Sequence, residues 1–94
     1  MTPLHEPECQ RFTLPTTPVS VLDYELAPAA QPQRVVFTHT GVPPAWQGRG
    51  LAALLVEAGL TWARDQGFKV VPACSYVALF IERHPQWREL LVSL

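Results

Sequence analysis

Apolar residues follow two different periods along this chain of 94 residues, and the change of period divides it into two halves. The first half has the alternating and β-branched patterns of strands in residues 11–14, 19–27 and 34–40. Proline-containing segments separate these runs at residues 15–18 and 28–33. The first half therefore predicts an antiparallel meander of three strands.

The N-terminal residues carry neither period. Pro3 and Pro7 both discourage regular structure at this end of the chain. We therefore expect residues 1–10 to form a flexible arm. His5 and Cys9 lie in this arm, and one such pair is too few for a metal site, so no metal ion is expected.

The second half begins with the period of a helix. Apolar residues at positions 51, 54, 55, 58 and 62 share one helical face, and Gly67 is a natural C-terminal stop. Residues 68–71 predict a fourth strand, short and central in the sheet. A strand–helix–strand order requires a crossover, so this strand should run parallel to the one that ends near Thr40.

A second helix is predicted after the fourth strand. Ser75 can cap it, and Pro85 ends it because the residue before a proline leaves the helical region. Its inner face would consist of Val77, Ala78, Phe80 and Ile81, and a last short helix would follow over residues 85–91. The predicted fold class is therefore α/β: antiparallel N-terminal strands, then strand–loop–helix–strand–helix with one parallel pair, in a single domain over residues 1–94.

Composition and charge limit the function classes. A net charge of −1 favours neither nucleic acid nor an anionic membrane as partner. The two cysteines, Cys9 and Cys74, form no disulfide framework, so we expect a reduced, cytoplasmic setting. No apolar run approaches the roughly 20 residues that span a bilayer, and the acidic, proline-containing N-terminus does not match a signal peptide. We expect a soluble protein, monomeric or homodimeric.

The segment between the third strand and the first helix carries the main chemical signal. Gly48 and Gly50 allow a ligand close to the backbone, and the helix N-terminus at Leu51 offers N–H groups without partners. Arg49 lies between the glycines and can neutralise an anion. The segment therefore predicts a grip for a phosphorylated ligand, although an ordinary strand-to-helix turn would use similar residues.

The spacing Gln47-x-x-Gly50-x-Ala52 resembles the Gln/Arg-x-x-Gly-x-Gly/Ala signature of the GNAT acetyltransferase superfamily. Within it, the chain is similar to the short stand-alone YjdJ-type branch over about residues 11–91. Four blocks in order carry this resemblance: His39-Thr40-Gly41-Val42-Pro43-Pro44, Gly48-Arg49-Gly50, Lys69-Val70-Val71-Pro72-Ala73-Cys74 and Arg83-His84-Pro85. The third residue of the first block is often acidic in the family, so Gly41 puts substrate preference or activity in doubt.

The resemblance implies acetyl-coenzyme A as the ligand. Backbone N–H groups of the glycine loop would hold its pyrophosphate, and the strand end before the loop would lie beside the pantetheine arm. The arm would then run towards Cys74 and Tyr76. The expected cofactor-binding residues are Thr40, Gly41, Val42, Gln47, Gly48, Arg49, Gly50, Leu51, Ala52 and Ser75.

Three side chains are the catalytic candidates. Cys74 follows a predicted strand and precedes a helix, a position that lowers a thiol pKa, although free cysteine is also a common buried apolar residue. It would take the acetyl group or act as an acid for the leaving thiolate. His39 is the right kind of base for an amine, or a strand histidine bonded to a carbonyl. Tyr76 would offer its phenol to the leaving sulfur, or would only pack.

The expected function is therefore transfer of an acetyl group from acetyl-coenzyme A to an amine on an unidentified acceptor. The alternative is a binding module that holds coenzyme A or its acyl esters without chemistry. A small structural partner with exposed apolar surface is a third interpretation. The chain has no room for the extra helices that build the acceptor cleft in larger members of the superfamily, so this cleft should be open or completed by a partner.

Overall fold

A computed structural model describes residues 1–27 and 33–92. In these residues the strands are β1 (Leu4–Glu6), β2 (Arg11–Leu14), β3 (Ser20–Ala27), β4 (Arg34–Gly41) and β5 (Lys69–Pro72). The α-helices are α1 (Leu51–Gln66) and α2 (Ser75–Arg83), and short 3-10 helices cover Pro7–Cys9, Pro44–Trp46 and Pro85–Leu90. The predicted α/β class is confirmed. Residues 28–32 of the predicted proline-containing connection lie outside the described residues.

The strands form one sheet in the order β1-β2-β3-β4-β5. Neighbouring strands from β1 to β4 are antiparallel, and β5 runs parallel to β4, as the crossover requires. The predicted parallel pair is thus confirmed. The prediction that β5 is central is wrong, because β5 is the last strand in the order. Only an isolated bridge from Val70 to Leu91 covers its outer side in the described part of the chain.

The prediction of a flexible arm over residues 1–10 needs correction, because residues 4–6 form strand β1, which pairs with β2. The His5 ring stacks on Phe12 with centroids 4.2 Å apart, and its Nε2 lies 2.6 Å from the Tyr24 hydroxyl. Trp62 of α1 closes the cluster, 4.8 Å from the His5 ring. Strand pairing and aromatic contacts therefore fix this segment, and the two prolines flank β1 without interrupting it.

The core lies between one face of the sheet and the helices. Leu22 and Phe37, both fully buried, lie on this face beneath α1. Gly59 of α1 approaches them so closely that an added Cβ would lie 2.7 Å from Leu22 Cδ2. The predicted inner face of α1 is therefore wrong in part: Gly59 belongs to the buried face, whereas Leu54 is 39% exposed. The buried residues of α1 are Leu51, Leu55, Val56, Gly59, Leu60 and Ala63.

The ends of both α-helices follow local rules, with one exception. Gly67 ends α1 in the left-handed conformation, with φ of 76°, as predicted. Helix α2 ends at Arg83, before Pro85. The predicted cap at Ser75 is wrong: Cys74 is the extended residue before the helix, and Ser75 is already its first residue. Within residues 1–27 and 33–92, no helix combines the length and hydropathy that crossing a membrane requires.

Candidate functional site

A cavity of about 400 Å³ opens where the end of β4, the glycine loop and the first turns of both α-helices meet. Apart from Trp46, every residue in its wall is one that the sequence predicted for the site. The lining residues are Thr40, Val42, Trp46, Gln47, Gly48, Gly50, Leu51, Ala52 and Tyr76.

The glycine loop exposes its backbone to this cavity. Gly48 and Gly50 have φ of 79° and 76°, a conformation that favours glycine, and an added Cβ at either would meet nothing within 4 Å. Gly50 also precedes the first residue of α1 and provides no side-chain cap. The first intrahelical bond is from Leu54 N–H to Gly50 C=O, so the earlier amides of this helix stay without intrahelical partners. The loop therefore fits an anionic group such as a pyrophosphate.

Two side chains shape the loop around these amides. Gln47 donates from Nε2 to the Val42 carbonyl at 3.0 Å, which ties the loop back to the end of β4. The Arg49 guanidinium carbon lies 5.0 Å from the centre of the Trp46 ring, within the range of a cation–π contact. Arg49 is exposed and does not line the cavity, so it supplies positive charge at the rim.

Sequence reasoning missed Trp46 as a cavity residue, because the predicted binding residues pass from Val42 directly to Gln47. The structure places it half-buried in the wall, on the 3-10 helix that leads into the loop. An aromatic residue directly before the glycine loop was the available signal. The Trp46 side chain thus contacts the Arg49 guanidinium and also lines the cavity.

A bulge in β4 decides which side chains reach the cavity. Val35 and Phe37 are fully buried, and strict alternation would direct His39 to the same face. The register changes at this point: Phe37 pairs with Tyr24, His39 pairs with Asp23, and Thr38 is the extra residue between them. The alternation is therefore reversed beyond Thr38.

One consequence is that Thr40 turns towards the cavity. Its hydroxyl lies 3.4 Å from the sulfur of Cys74, across the point where β4 and β5 separate. The last pair between these strands is Phe37 with Pro72, and Cys74 N–H then donates to the Phe37 carbonyl at 2.9 Å. We call the gap beyond this bond, between Thr40 and Cys74, the notch. It adjoins the cavity through Thr40.

The other consequence is that His39 lies on the opposite face of the sheet. A Cβ at position 41 would lie 3.0 Å from His39 Nε2 and 3.6 Å from Val21, which shows the ring beside Val21. This face, which we call the open face, includes Arg11, Val21, Asp23, Val36 and His39, none of which is buried, whereas Thr13 opposite Val21 is buried. The structure therefore does not bring His39 into the cavity, and Gly41 leaves the space that its ring occupies.

The Cys74 thiol is polarised by its surroundings. Burial acts to raise its pKa, but hydrogen bonding from the Thr40 side chain and the backbone amides of Val77, Tyr76 and Thr40 outweighs burial, so the pKa lies below its ordinary value. The amides of Tyr76 and Val77 belong to the first turn of α2 and act on the sulfur, although Cys74 makes no side-chain capping hydrogen bond by the usual geometric criteria. At neutral pH, a larger fraction of Cys74 is therefore thiolate than for a cysteine of ordinary pKa.

Two more predicted residues, Tyr76 and Ser75, lie at the margin of the site, as does His84 from the fourth block of the resemblance. Tyr76 is 37% exposed and lines the cavity from α2, whereas Ser75 is exposed and outside the cavity wall. His84 packs: its ring stacks on Phe80 with centroids 4.1 Å apart, and its Nδ1 lies 2.8 Å from the Phe80 carbonyl. In the described parts of the chain, no three His, Cys, Asp or Glu side chains gather as ligands for a metal ion.

Comparison with known proteins identifies a family for this chain. A family model described as GCN5-related N-acetyl-transferase matches residues 11–90. The chain is similar to Protein NATD1 of Bos taurus, at 34% identity over 54 residues, which are 56% of this chain and 48% of that protein. For Protein NATD1 of Danio rerio the identity is 32% over 60 residues, 62% of this chain and 54% of that protein.

The chain spans about half the length of these curated relatives. The family match, by contrast, runs from β2 to the end of the last 3-10 helix. The mixed sheet, with its parallel β4–β5 pair and the helix between them, is consistent with the fold that the resemblance implies. The chain therefore belongs to the GCN5-related N-acetyl-transferase family.

Proposed function

We propose that this protein transfers an acetyl group from acetyl-coenzyme A to an amine. The proposal rests on one observation: a helix N-terminus and a cysteine thiol of lowered pKa lie close to the same cavity. The uncapped N-terminus of α1 opens into a cavity whose wall includes Thr40, and the Thr40 hydroxyl lies 3.4 Å from the sulfur of the polarised Cys74 thiol. An anion grip can hold the phosphorylated part of a thioester donor, and a thiol of lowered pKa can take part in the transfer at the acyl end.

In this proposal the donor lies along the cavity. The amides of Gly50, Leu51 and Ala52 hold the pyrophosphate, and Arg49 adds charge at the rim. The backbone from Thr40 to Val42, beyond the last pair with β5, lies beside the pantetheine arm. The thioester then reaches the notch beside Cys74.

Two roles for Cys74 are consistent with its lowered pKa. As a nucleophile, its thiolate attacks the acetyl carbonyl, the bond from this carbon to the coenzyme A sulfur breaks, and the amine then displaces the acetyl group from Cys74. As an acid, its thiol protonates the departing coenzyme A thiolate while the amine attacks directly. Mass spectrometry of the protein with acetyl-coenzyme A alone separates these roles, since only the first leaves an acetyl group on Cys74.

The activity is tested by transfer of labelled acetyl groups to a panel of amines and peptides, with Cys74→Ala and Cys9→Ala compared. Cys9 is the matched control because it is the other free cysteine and lies far along the chain, in an exposed 3-10 helix. We expect Cys74→Ala to lose most of the activity and Cys9→Ala to keep it. Equal activity in both variants would remove Cys74 from the mechanism. Binding of coenzyme A without transfer to any acceptor would indicate the non-catalytic binding module.

The glycine loop is tested by calorimetry of coenzyme A binding to Gly50→Glu and Gly67→Glu. These glycines flank the same helix with the same φ of 76°, and neither has a neighbour within 4 Å of an added Cβ. Both substitutions therefore carry a similar backbone strain, and only Gly50→Glu places a carboxylate at the proposed pyrophosphate site. We expect loss of binding in Gly50→Glu alone. Unchanged binding there would refute the placement. The amine acceptor and the cytoplasmic location stay predictions.

A further inference from the structure

A smaller cavity lies between the two α-helices, beside the cavity of the candidate site. Its volume is about 210 Å³, below the roughly 300–1,000 Å³ of pockets that enclose a whole small molecule. We call it the interhelical groove, and its walls include Ala53 and Glu57 of α1 together with Tyr76, Leu79, Arg83 and His84 of α2 and its C-terminal end. The groove therefore has the size for one end of a larger ligand.

The interhelical groove continues the candidate site in the direction away from the notch. Tyr76 lines both cavities, and Ala53 of the groove directly follows Ala52 of the first cavity wall. Both alanines belong to the first turn of α1, where the proposed pyrophosphate grip lies. From Tyr76 the groove follows α2 for two turns to Arg83, about 10 Å along the helix axis. A ligand held at the glycine loop can therefore extend into this groove.

The interhelical groove offers one cation and two hydrogen-bond acceptors. Arg83 at the end of α2 and Glu57 on α1 belong to neither of the ion pairs found in the described residues. His84 Nδ1 lies 2.8 Å from the Phe80 carbonyl oxygen, so Nδ1 carries the proton and Nε2 is the acceptor of the neutral ring. The groove therefore fits a ligand end that has both an amino donor and an anionic group.

The apolar part of the groove fits a flat ring. Leu79 is 41% exposed and Tyr76 is 37% exposed, and both line the groove from α2. A planar base that covers these side chains removes apolar surface from water and keeps its edge for hydrogen bonds. An aminopurine on a phosphorylated ribose combines the three properties that the groove selects: a flat face, an amino group and an anion.

We propose, on the basis of the acetyl transfer proposed above, that the interhelical groove binds the adenosine 3′-phosphate end of coenzyme A. The adenine ring covers Leu79 and Tyr76, and its amino group donates its two hydrogens to Glu57 and His84. The ribose phosphate binds Arg83, on the wall opposite Glu57. Arg83 is then the residue that distinguishes coenzyme A from its 3′-dephospho form, while the groove takes no part in the chemistry at the notch.

The first test measures the binding of coenzyme A and of 3′-dephospho-coenzyme A by calorimetry in the wild type, Arg83→Gln and Arg88→Gln. Arg88 is the matched control because it is also exposed, but it lines a different cavity and contacts the Glu82 carbonyl. We expect the wild type and Arg88→Gln to bind coenzyme A about fivefold more tightly than the dephospho form, as for an exposed ion pair. Arg83→Gln should bind both equally, with unchanged affinity for the dephospho form. Equal affinities in the wild type, or a preference that persists in Arg83→Gln, would overturn the proposal.

A second test does not depend on acetyl transfer. Adenosine 3′,5′-bisphosphate, which lacks the pantetheine arm and the thioester, is titrated into the wild type, Leu79→Glu and Leu54→Glu. The two leucines are similarly exposed, at 41% and 39%, but Leu79 lines the groove and Leu54 lines another cavity. We expect Leu79→Glu alone to lose binding, because it places a carboxylate beside the phosphate. No binding to the wild type, or equal binding in both variants, would overturn the proposal.

The two proposals fail in different ways. A wild-type protein that binds the bisphosphate in the groove but transfers no acetyl group to any acceptor would refute the proposed function and leave the nucleotide site in place. Acetyl transfer by a protein that binds coenzyme A and its dephospho form equally would refute the nucleotide site and leave the proposed function in place.

Discussion

Thr40 illustrates how one side chain connects the strand, the cavity and the reactive sulfur. Its hydroxyl is 3.4 Å from Cys74 Sγ, and this hydrogen bond helps to lower the pKa of the thiol. We predict that Thr40→Val raises this pKa, because the backbone amides remain but the hydroxyl is lost. A hydrogen bond of about 1 kcal/mol corresponds to a several-fold decrease in the thiolate fraction near pH 7.

The measurement is the rate of Cys74 alkylation by iodoacetamide between pH 6 and 9, followed by mass spectrometry. Thr38→Val is the matched control, since Thr38 lies on the same strand but bonds to the Asp23 carbonyl. The midpoint of the Thr40→Val profile should move to higher pH while the Thr38→Val profile matches the wild type. Coincident profiles for all three proteins would contradict this account of the thiol.

At the scale of single residues, the sequence predicted what depends on local structure. The region of Gln47 to Ala52 and the position of Cys74 follow from a strand end, glycines and a helix start, which neighbouring residues determine. The face of His39 could not be predicted, because the bulge at Thr38 exists only in the pairing of β4 with β3. One unpaired residue exchanged the directions of His39 and Thr40.

At the scale of elements, β1 is the strand that sequence reasoning placed in a flexible arm. Its stability depends on contacts with residues distant in the chain: His5 meets Phe12, Tyr24 and Trp62. Desolvation by burial lowers the pKa of His5, and the nearby Glu8 only partly offsets this. The fold therefore favours the neutral imidazole.

The sign of the pH dependence follows from this lowered pKa. The unfolded chain binds a proton at His5 near its reference value of about 6.5, whereas the folded chain binds it only at lower pH. The contribution of His5 to stability is therefore present above the unfolded pKa and is lost as the pH falls through about 6.5 towards the folded value. We predict that the urea midpoint falls over this range and that His5→Phe removes part of the fall.

His39→Phe serves as the control for this experiment, because His39 is exposed on the open face and takes no part in the aromatic cluster. The midpoints of the His39→Phe variant should keep the pH dependence of the wild type. Parallel curves for the His5→Phe variant and the wild type would show that the cluster does not discriminate between the two forms of His5.

The helix α1 was predicted with its ends nearly in place but with its inner face displaced. The spacing of large apolar residues gave weight to Leu54 and Trp62, whereas Gly59 lies directly against side chains of the sheet. A hydrophobic pattern ranks side chains by size and polarity, so it cannot show a contact that depends on the absence of a side chain. The apolar residues of β5 likewise did not show that it is an edge strand, because its packing against both α-helices and the bridge of Val70 to Leu91 come from distant parts of the chain.

At the scale of the whole molecule, a single apolar layer between sheet and helices connects the aromatic cluster to the candidate site. Phe12 and Phe37 belong to one buried cluster with Leu51 at the start of α1. The position of α1 over the sheet therefore determines where the glycine loop and the first amides of the helix lie. A change at the centre of this contact should be measurable both in stability and in ligand binding.

Gly59→Ala tests this dependence. An added Cβ would lie 2.7 Å from Leu22 Cδ2 and 3.0 Å from Phe37 Cε1, and both side chains are fully buried. Overpacking costs about 1–3 kcal/mol, and the gain in helix propensity is about 1 kcal/mol, so we expect a net loss of about 1 kcal/mol and a Tm lower by about 4–8 °C.

The loss should be smaller when Leu22→Val is already present, because the nearest clashing methyl group is then absent and the two positions couple. If α1 moves to relieve the clash, coenzyme A binding should also weaken in Gly59→Ala at temperatures where the protein is folded, and should recover in the double variant. An unchanged or higher Tm for Gly59→Ala would mean that helix propensity outweighs packing here. Unchanged coenzyme A binding in Gly59→Ala would mean that the close approach of α1 to the sheet does not determine the position of the glycine loop.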